Sequence, residues 1–198
     1  MRNFLIWSYL KGVRKLDTPS KIIGFAFQRH ALRTCLIQPD KNIRYSFHEL
    51  EQRVKQLIHF FSKKLLKSGD VVAFLSTNSF EYFEIRAAVH MSDLILFALP
   101  QHLSEVERAY FLQTAHARLL FCRNVNAEDM HVIQKRAGVE HCINLESSDY
   151  AAIFEKDISY RKIPLQASEI ATFNVSSGTT QKTPKIVQLS AKSWVASL

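Results

Sequence analysis

The chain of 198 residues contains five glycines and five prolines. So few backbone breakers exclude a fibrous or linker-rich architecture and leave few places for glycine's conformational freedom. There are three cysteines, Cys35, Cys122 and Cys142, far apart and with no Cys-x-x-Cys pair. Neither a disulfide framework nor a structural zinc site is expected, and a reduced, cytoplasmic setting is. Each cysteine lies in or beside an apolar run, where a free thiol serves as a small core residue. The eight histidines form no His-x-x-x-His pair, and no Ser/His/Asp spacing stands out, so no catalytic or metal-ligating residue is assigned. His116 is read as the end of a helix, where a partial positive charge suits the dipole. The apolar run at 4–10 is too short to span a bilayer, and only one cation precedes it, which argues against a signal peptide. It reads as a packed segment, with a peripheral membrane contact as the alternative. No internal repeat or low-complexity stretch occurs.

What is present alternates between two periods. Ser46 followed by Glu49 is a capping box. Phe47, Leu50, Val54, Leu57, Ile58, Phe61 and Leu65 then mark one helical face, with Gly69 as the stop. Residues 71–75 form a continuous apolar run, expected of a strand covered on both faces. Asn78 is placed to cap a helix to about Met91. A strand at 94–99 ends at Pro100. Ser104 and Glu107 make a second capping box, opening a helix to about His116. A strand at 118–122, a helix at 127–136 and a strand at 141–145 follow. The polar stretch 146–149 reads as a linker into a less regular segment reaching Ala167. Residues 170–175 read as a buried strand, and Ser190 as the N-cap of a short helix. Repeated strand–helix units imply an α/β fold with a mainly parallel sheet flanked by helices. The length suffices for one sizeable core.

The strand at 170–175 opens into Ser176-Ser177-Gly178-Thr179-Thr180-Gln181-Lys182-Thr183-Pro184-Lys185-Ile186-Val187. Hydroxyls, backbone N–H groups and lysines after a strand form a phosphate-binding arrangement. It is not a Walker loop, which needs a second glycine directly before its lysine and a hydroxyl after it. The other reading is an ordinary Ser/Thr/Gly turn. The net charge of +8 comes from 26 basic and 18 acidic residues. The cations are spread over many segments, without an Arg-rich helix or a basic–aromatic ladder. No nucleic-acid partner is expected; solvated faces and a general attraction for an anionic nucleotide are.

This loop resembles the phosphate loop of the adenylate-forming (AMP-binding) enzymes: acyl-CoA synthetases, luciferases and nonribosomal adenylation domains. Their pattern is Ser/Thr-Ser-Gly-Thr/Ser-Thr-Gly-x-Pro-Lys-Gly-Val. Residues 176–180 match its first five positions, and Pro184-Lys185 match its Pro-Lys. Gln181 and Ile186 stand where the family has glycines, and one extra residue precedes Pro184. Three further blocks resemble the family in order: the segment 43–50, then 69–81 with its Gly-Asp-x-Val-Ala and Asn-Ser-x-Glu elements, then 103–112.

The resemblance implies the first N-terminal subdomain of the adenylate-forming fold over residues 18–198, with its phosphate loop at 176–187, preceded by an apolar and basic segment at 1–17. It implies ATP with Mg2+ as ligand and coenzyme A for the full-length family. Ser176, Ser177, Gly178, Thr179 and Thr180 would hold the β- and γ-phosphates, Lys185 would offset their charge, and Lys182 is an added cation. The family joins a carboxylate to AMP, then passes the acyl group to a thiol. Its Tyr-Gly-x-Thr-Glu block, its Thr-Gly-Asp block and its small C-terminal domain do not occur in these 198 residues. The expectation is the N-terminal portion of such a ligase, inactive alone and completed by a second chain. A non-catalytic nucleotide-binding module and a truncated remnant are the alternatives.

Overall fold

The computed structural model describes residues 16–77, 79–155, 169–176 and 184–197. Its elements, in chain order, are α1 (Pro19–His30), β1 (Thr34–Gln38), β2 (Ile43–Ser46), α2 (Phe47–Lys63), β3 (Val71–Leu75) and α3 (Phe80–Met91). They continue as β4 (Ile95–Ala98), α4 (Glu105–Thr114), β5 (Ala117–Cys122), α5 (Ala127–Ala137), β6 (His141–Asn144) and the helical turn α6 (Ser148–Ala151). The last three are β7 (Ile170–Val175), β8 (Ile186–Ser190) and α7 (Ala191–Ala196). Short 3-10 turns occupy Pro39–Lys41 and Ala152–Phe154. The main sheet has the order β6-β5-β3-β4-β7-β8. All its neighbours run parallel except β7 and β8, which are antiparallel. β1 and β2 make a separate antiparallel pair.

The all-apolar β3 is buried along its whole length because helices cover both faces. Val72 and Phe74 join Leu50, Val54, Leu57, Ile58, Phe61 and Ile85 in the layer under α2 and α3. Val71, Ala73 and Leu75 point the other way, into the layer with Phe111, Leu112 and Ile133 of α4 and α5. This is the period-2 side-chain alternation of a strand, read twice.

Both capping boxes form. The Ser46 hydroxyl accepts the Glu49 N–H while the Glu49 carboxylate accepts the Ser46 N–H, and Ser104 and Glu107 repeat the pattern. All three cysteines are free and lie in β1, β5 and β6.

Five local expectations are corrected. α2 ends at Lys63, and Leu65, placed on the buried face by periodicity, is 74% exposed with φ +56°. Leu66 is buried in its place. Gly69 (φ +86°) does not stop the helix but turns the chain just ahead of β3. α3 begins one residue later than Asn78 would cap it, with Ser79 at the N-cap; Asn78 lies outside the described residues. The stretch 146–149 is not a linker: α6 starts within it, and Tyr150 and Ile153 are buried against the α2–α3 layer. His116 follows α4 by two residues and takes φ +51° instead of ending the helix in αR geometry. Sequence periodicity also passes over α1, the β1–β2 hairpin and β8.

Candidate functional site

The phosphate-loop segment is the connection of a β-hairpin. β7 enters the sheet beside β4 through the pairs Leu96↔Thr172 and Phe97↔Phe173. β8 returns antiparallel, with Val175↔Ile186 as the final pair. Two hydrogen bonds then close the neck of the loop. The Ser176 N–H donates to the Lys185 carbonyl at 2.8 Å. The Lys185 N–H donates to the Ser176 Oγ at 3.2 Å. The first and last members of the expected phosphate-binding set, Ser176 and Lys185, are therefore brought together. Ser177, Gly178, Thr179, Thr180 and Lys182 lie outside the described residues, as does Gln181. The Ser176 oxygen acts as an acceptor at the neck, which leaves its O–H proton to donate elsewhere.

The neck sits at the carboxyl end of β7, on the edge of the sheet where the other parallel strands also end. Open α/β sheets bind ligands along this edge. The second leg of the hairpin is anchored independently. Ser190 caps α7 by accepting the Ser193 N–H. The Trp194 ring of α7 packs 5.1 Å from the His90 ring and under the Arg86 guanidinium at 5.2 Å, both on α3. Burial pushes His90 down to about 3, so the stack involves a neutral imidazole.

Two charged networks back this edge, and neither is visible in the sequence. In the first, the fully buried Glu84 of α3 receives both Arg53 of α2 and the Tyr150 hydroxyl beyond β6. Arg53 Nη2 lies 3.0 Å from Glu84 Oε1. The Phe154 ring lies 3.6 Å from the Arg53 guanidinium, with Tyr45 and Phe80 at 5.5 and 5.7 Å. Burial raises the Glu84 carboxyl above its ordinary range, and Arg53 opposes the rise. In the second network, Glu81 Oε1 meets Arg123 at 2.6 Å and Lys41 at 3.6 Å, and Arg123 also pairs with Glu146 at 3.0 Å. Among the described residues, no group of His, Cys, Asp and Glu side chains is placed to hold a metal ion, and no helix is long and apolar enough to cross a membrane.

A family model described as "AMP-binding enzyme" matches residues 25–198. No curated protein matches the chain. Solved structures do, at identities that speak for the fold alone. A fatty acyl CoA synthetase of Mycobacterium tuberculosis superposes with a TM-score of 0.77 at 13% identity, over 89% of this chain and 35% of that one. The anthranilate CoA ligase AuaEII in complex with anthranoyl-AMP gives 0.77 at 19% identity, over 88% and 34%. A luciferase-like enzyme from the nonluminescent mealworm Zophobas morio gives 0.76 at 21%, over 90% and 44%. The chain thus spans less than half the length of each of these three proteins.

Proposed function

Because the chain belongs to the AMP-binding enzyme family, we propose that it is the N-terminal portion of an ATP-dependent carboxylate-activating ligase of the acyl-CoA synthetase type. The observation that carries this reading is the pinned neck, in which Ser176 and Lys185 close a Ser/Thr/Gly/Lys loop at the carboxyl end of β7. Holding Ser176 and Lys185 together at the neck reduces the chain entropy that the connecting segment loses when it orders on a ligand.

In this reading the loop's N–H groups and the hydroxyls of Ser176, Ser177, Thr179 and Thr180 take the β- and γ-phosphates, and Lys185 and Lys182 offset their charge. A carboxylate then attacks the α-phosphorus and pyrophosphate leaves, a step governed by positioning and charge stabilisation. Magnesium enters with the nucleotide as Mg-ATP. Transfer of the acyl group to coenzyme A belongs to the complete ligase. Within these 198 residues the family's Tyr-Gly-x-Thr-Glu and Thr-Gly-Asp blocks do not occur, so they are expected to bind nucleotide without synthetase turnover until further residues, on this chain or another, are supplied. A cytoplasmic setting is part of this proposal, supported by three free cysteines without a Cys-x-x-Cys pair.

Trypsin cleavage after Lys182 provides the test. Mg-ATP is expected to slow cleavage of the Lys182–Thr183 bond in the wild type, and Thr180→Ala with Lys185→Ala is expected to abolish that protection. Absence of protection in the wild type would overturn the reading. Protection that persists while no added ligase domain restores pyrophosphate release would favour a non-catalytic nucleotide-binding module.

A further inference from the structure

Gln56, His59, Phe60 and Lys63 follow one another on α2 at the spacings that put side chains on one helical face. That stripe lines a pocket of about 400 Å³. Ile143 of β6, with Ala152 and Ile153 of the 3-10 turn, completes the apolar lining. Gln56 ties α2 to the turn, because its side-chain amide donates to the Phe154 carbonyl at 3.2 Å. Ile143 and Ile153 belong to the core layer under α2 and α3, and Phe60 packs on it, so the pocket opens onto the edge of that core.

The charged groups of the lining are Lys63, Lys64 and Asp149, and all three side chains reach solvent. Lys64 is the C-cap residue of α2, and its ammonium stands 5.6 Å from the Phe60 ring centroid. Lysines at a helix C-terminus suit its dipole, yet among the described residues neither one lies within ion-pair distance of a carboxylate. Asp149, in the first turn of α6, pairs with no cation there either. The lining therefore carries one positive charge in excess. Two imidazoles register it. Burial and then Lys63 hold His59 below its ordinary value, and burial and then Lys64 do the same to His141 of β6. Glu140, beside His141, is committed to Arg118 at 2.6 Å. The His59 Nδ1 is inaccessible, so His59 offers the pocket ring surface and not that nitrogen.

We propose that this pocket is a second small-molecule site, taking an organic monoanion with an apolar body. Lys63 and Lys64 meet the head group through charge-assisted hydrogen bonds, and the body lies on Phe60, Ile143 and Ile153. One negative charge cancels the excess, and Asp149 opposes a second. The volume lies at the small end of the range for ligand pockets, which favours a short chain or a single ring. None of these residues belongs to the loop at 176–185, so failure here and failure of the ATP reading are distinguishable.

The 198-residue chain, labelled with 15N, is titrated with hexane-1-sulfonate, with methanesulfonate, which lacks the apolar body, and with 1-hexanol, which lacks the charge. The expected result is saturable amide shifts around His59, Lys64 and Ile143 with hexane-1-sulfonate, and binding at least about tenfold weaker for the other two. Bound sulfonate is also expected to raise the pKa of His59. Lys63→Gln with Lys64→Gln is expected to weaken hexane-1-sulfonate severalfold, and Asp149→Asn to tighten it by about two- to fivefold. These side chains lie outside the core, so the variants keep the fold. Lys135→Gln, on α5 across the sheet, is expected to change nothing. Wild-type shifts that do not saturate would overturn the proposal. So would equal binding of the three ligands, which would mean an adventitious additive only, or a loss in Lys135→Gln as large as in the lysine pair.

Discussion

Arg53→Met isolates the buried Glu84 and allows a worked magnitude. Methionine keeps an unbranched apolar stem against the Phe154 ring but removes the guanidinium that Glu84 holds. A carboxylate left buried without a counter-charge does not stay ionised; such groups titrate as high as about 8–9. The variant's folded state must then carry a proton that its unfolded state, with an ordinary Glu value of about 4.3, releases at neutral pH. At roughly 1.36 kcal/mol per unit, this costs about 4 kcal/mol at pH 7 and about 1 kcal/mol at pH 5. The first figure agrees with the 3–5 kcal/mol typical of breaking a buried pair. The sign follows: the folded form binds the extra proton, so the variant's deficit shrinks as pH falls. Arg53→Met with Glu84→Gln removes the need for that proton and keeps an acceptor for Tyr150. It is expected to lie within about 1–2 kcal/mol of wild type, with little pH dependence. Urea denaturation of the three proteins at pH 5 and pH 7, followed by far-UV circular dichroism, measures all of this. A single-variant loss below about 1 kcal/mol at pH 7, with a pH slope equal to wild type, would refute the buried-charge account.

Leu65→Gly is expected to stabilise the protein by up to about 1 kcal/mol, raising Tm by about 2–4 °C, because an exposed non-glycine residue at φ +56° is replaced by one that takes this conformation without strain. Its carbonyl, which accepts from Arg118 at 3.2 Å, is retained. Ser46→Ala is expected to cost about 1 kcal/mol and to return the Glu49 carboxyl toward its ordinary value, as read by 13C carboxyl titration. In the wild type, the Ser46 N–H and hydroxyl hold Glu49 below its ordinary range, and Ser104 does the same for Glu107. Both contributions are therefore complete above the ordinary carboxylate value and fade as pH falls through the depressed ones, the reverse of Glu84.

Elements whose signals are local were legible in the sequence. Ser46 with Glu49, Ser104 with Glu107 and the unbroken run of β3 each state their structure within a few residues, and all three form. Elements whose identity comes from tertiary context were not. β8 carries exposed Val187 and Gln188 and shows no clean alternation, so its strand character comes from pairing with β7. Leu65 continues the helical period yet turns outward, because Leu66 takes the buried position beyond the helix end. The loop at 176–185 announced itself by composition. The pairing of Glu81 with Arg123 did not, because 42 residues separate them and only the parallel register brings them together.

The placement of β7 also bears on the order of folding. β3, β4, β5 and β6 follow one another with single intervening helices, so their pairings need only modest loop closures. β7 pairs with β4 across a separation of more than seventy residues, as Phe97↔Phe173. Contacts of high sequence separation form late because chain entropy is lost before they are rewarded. The hairpin is thus expected to dock last, onto a sheet already assembled, and to detach first as a unit of lower stability. A ligand gripping its loop would act as a latch on that final step, so nucleotide would be felt through the completeness of the sheet.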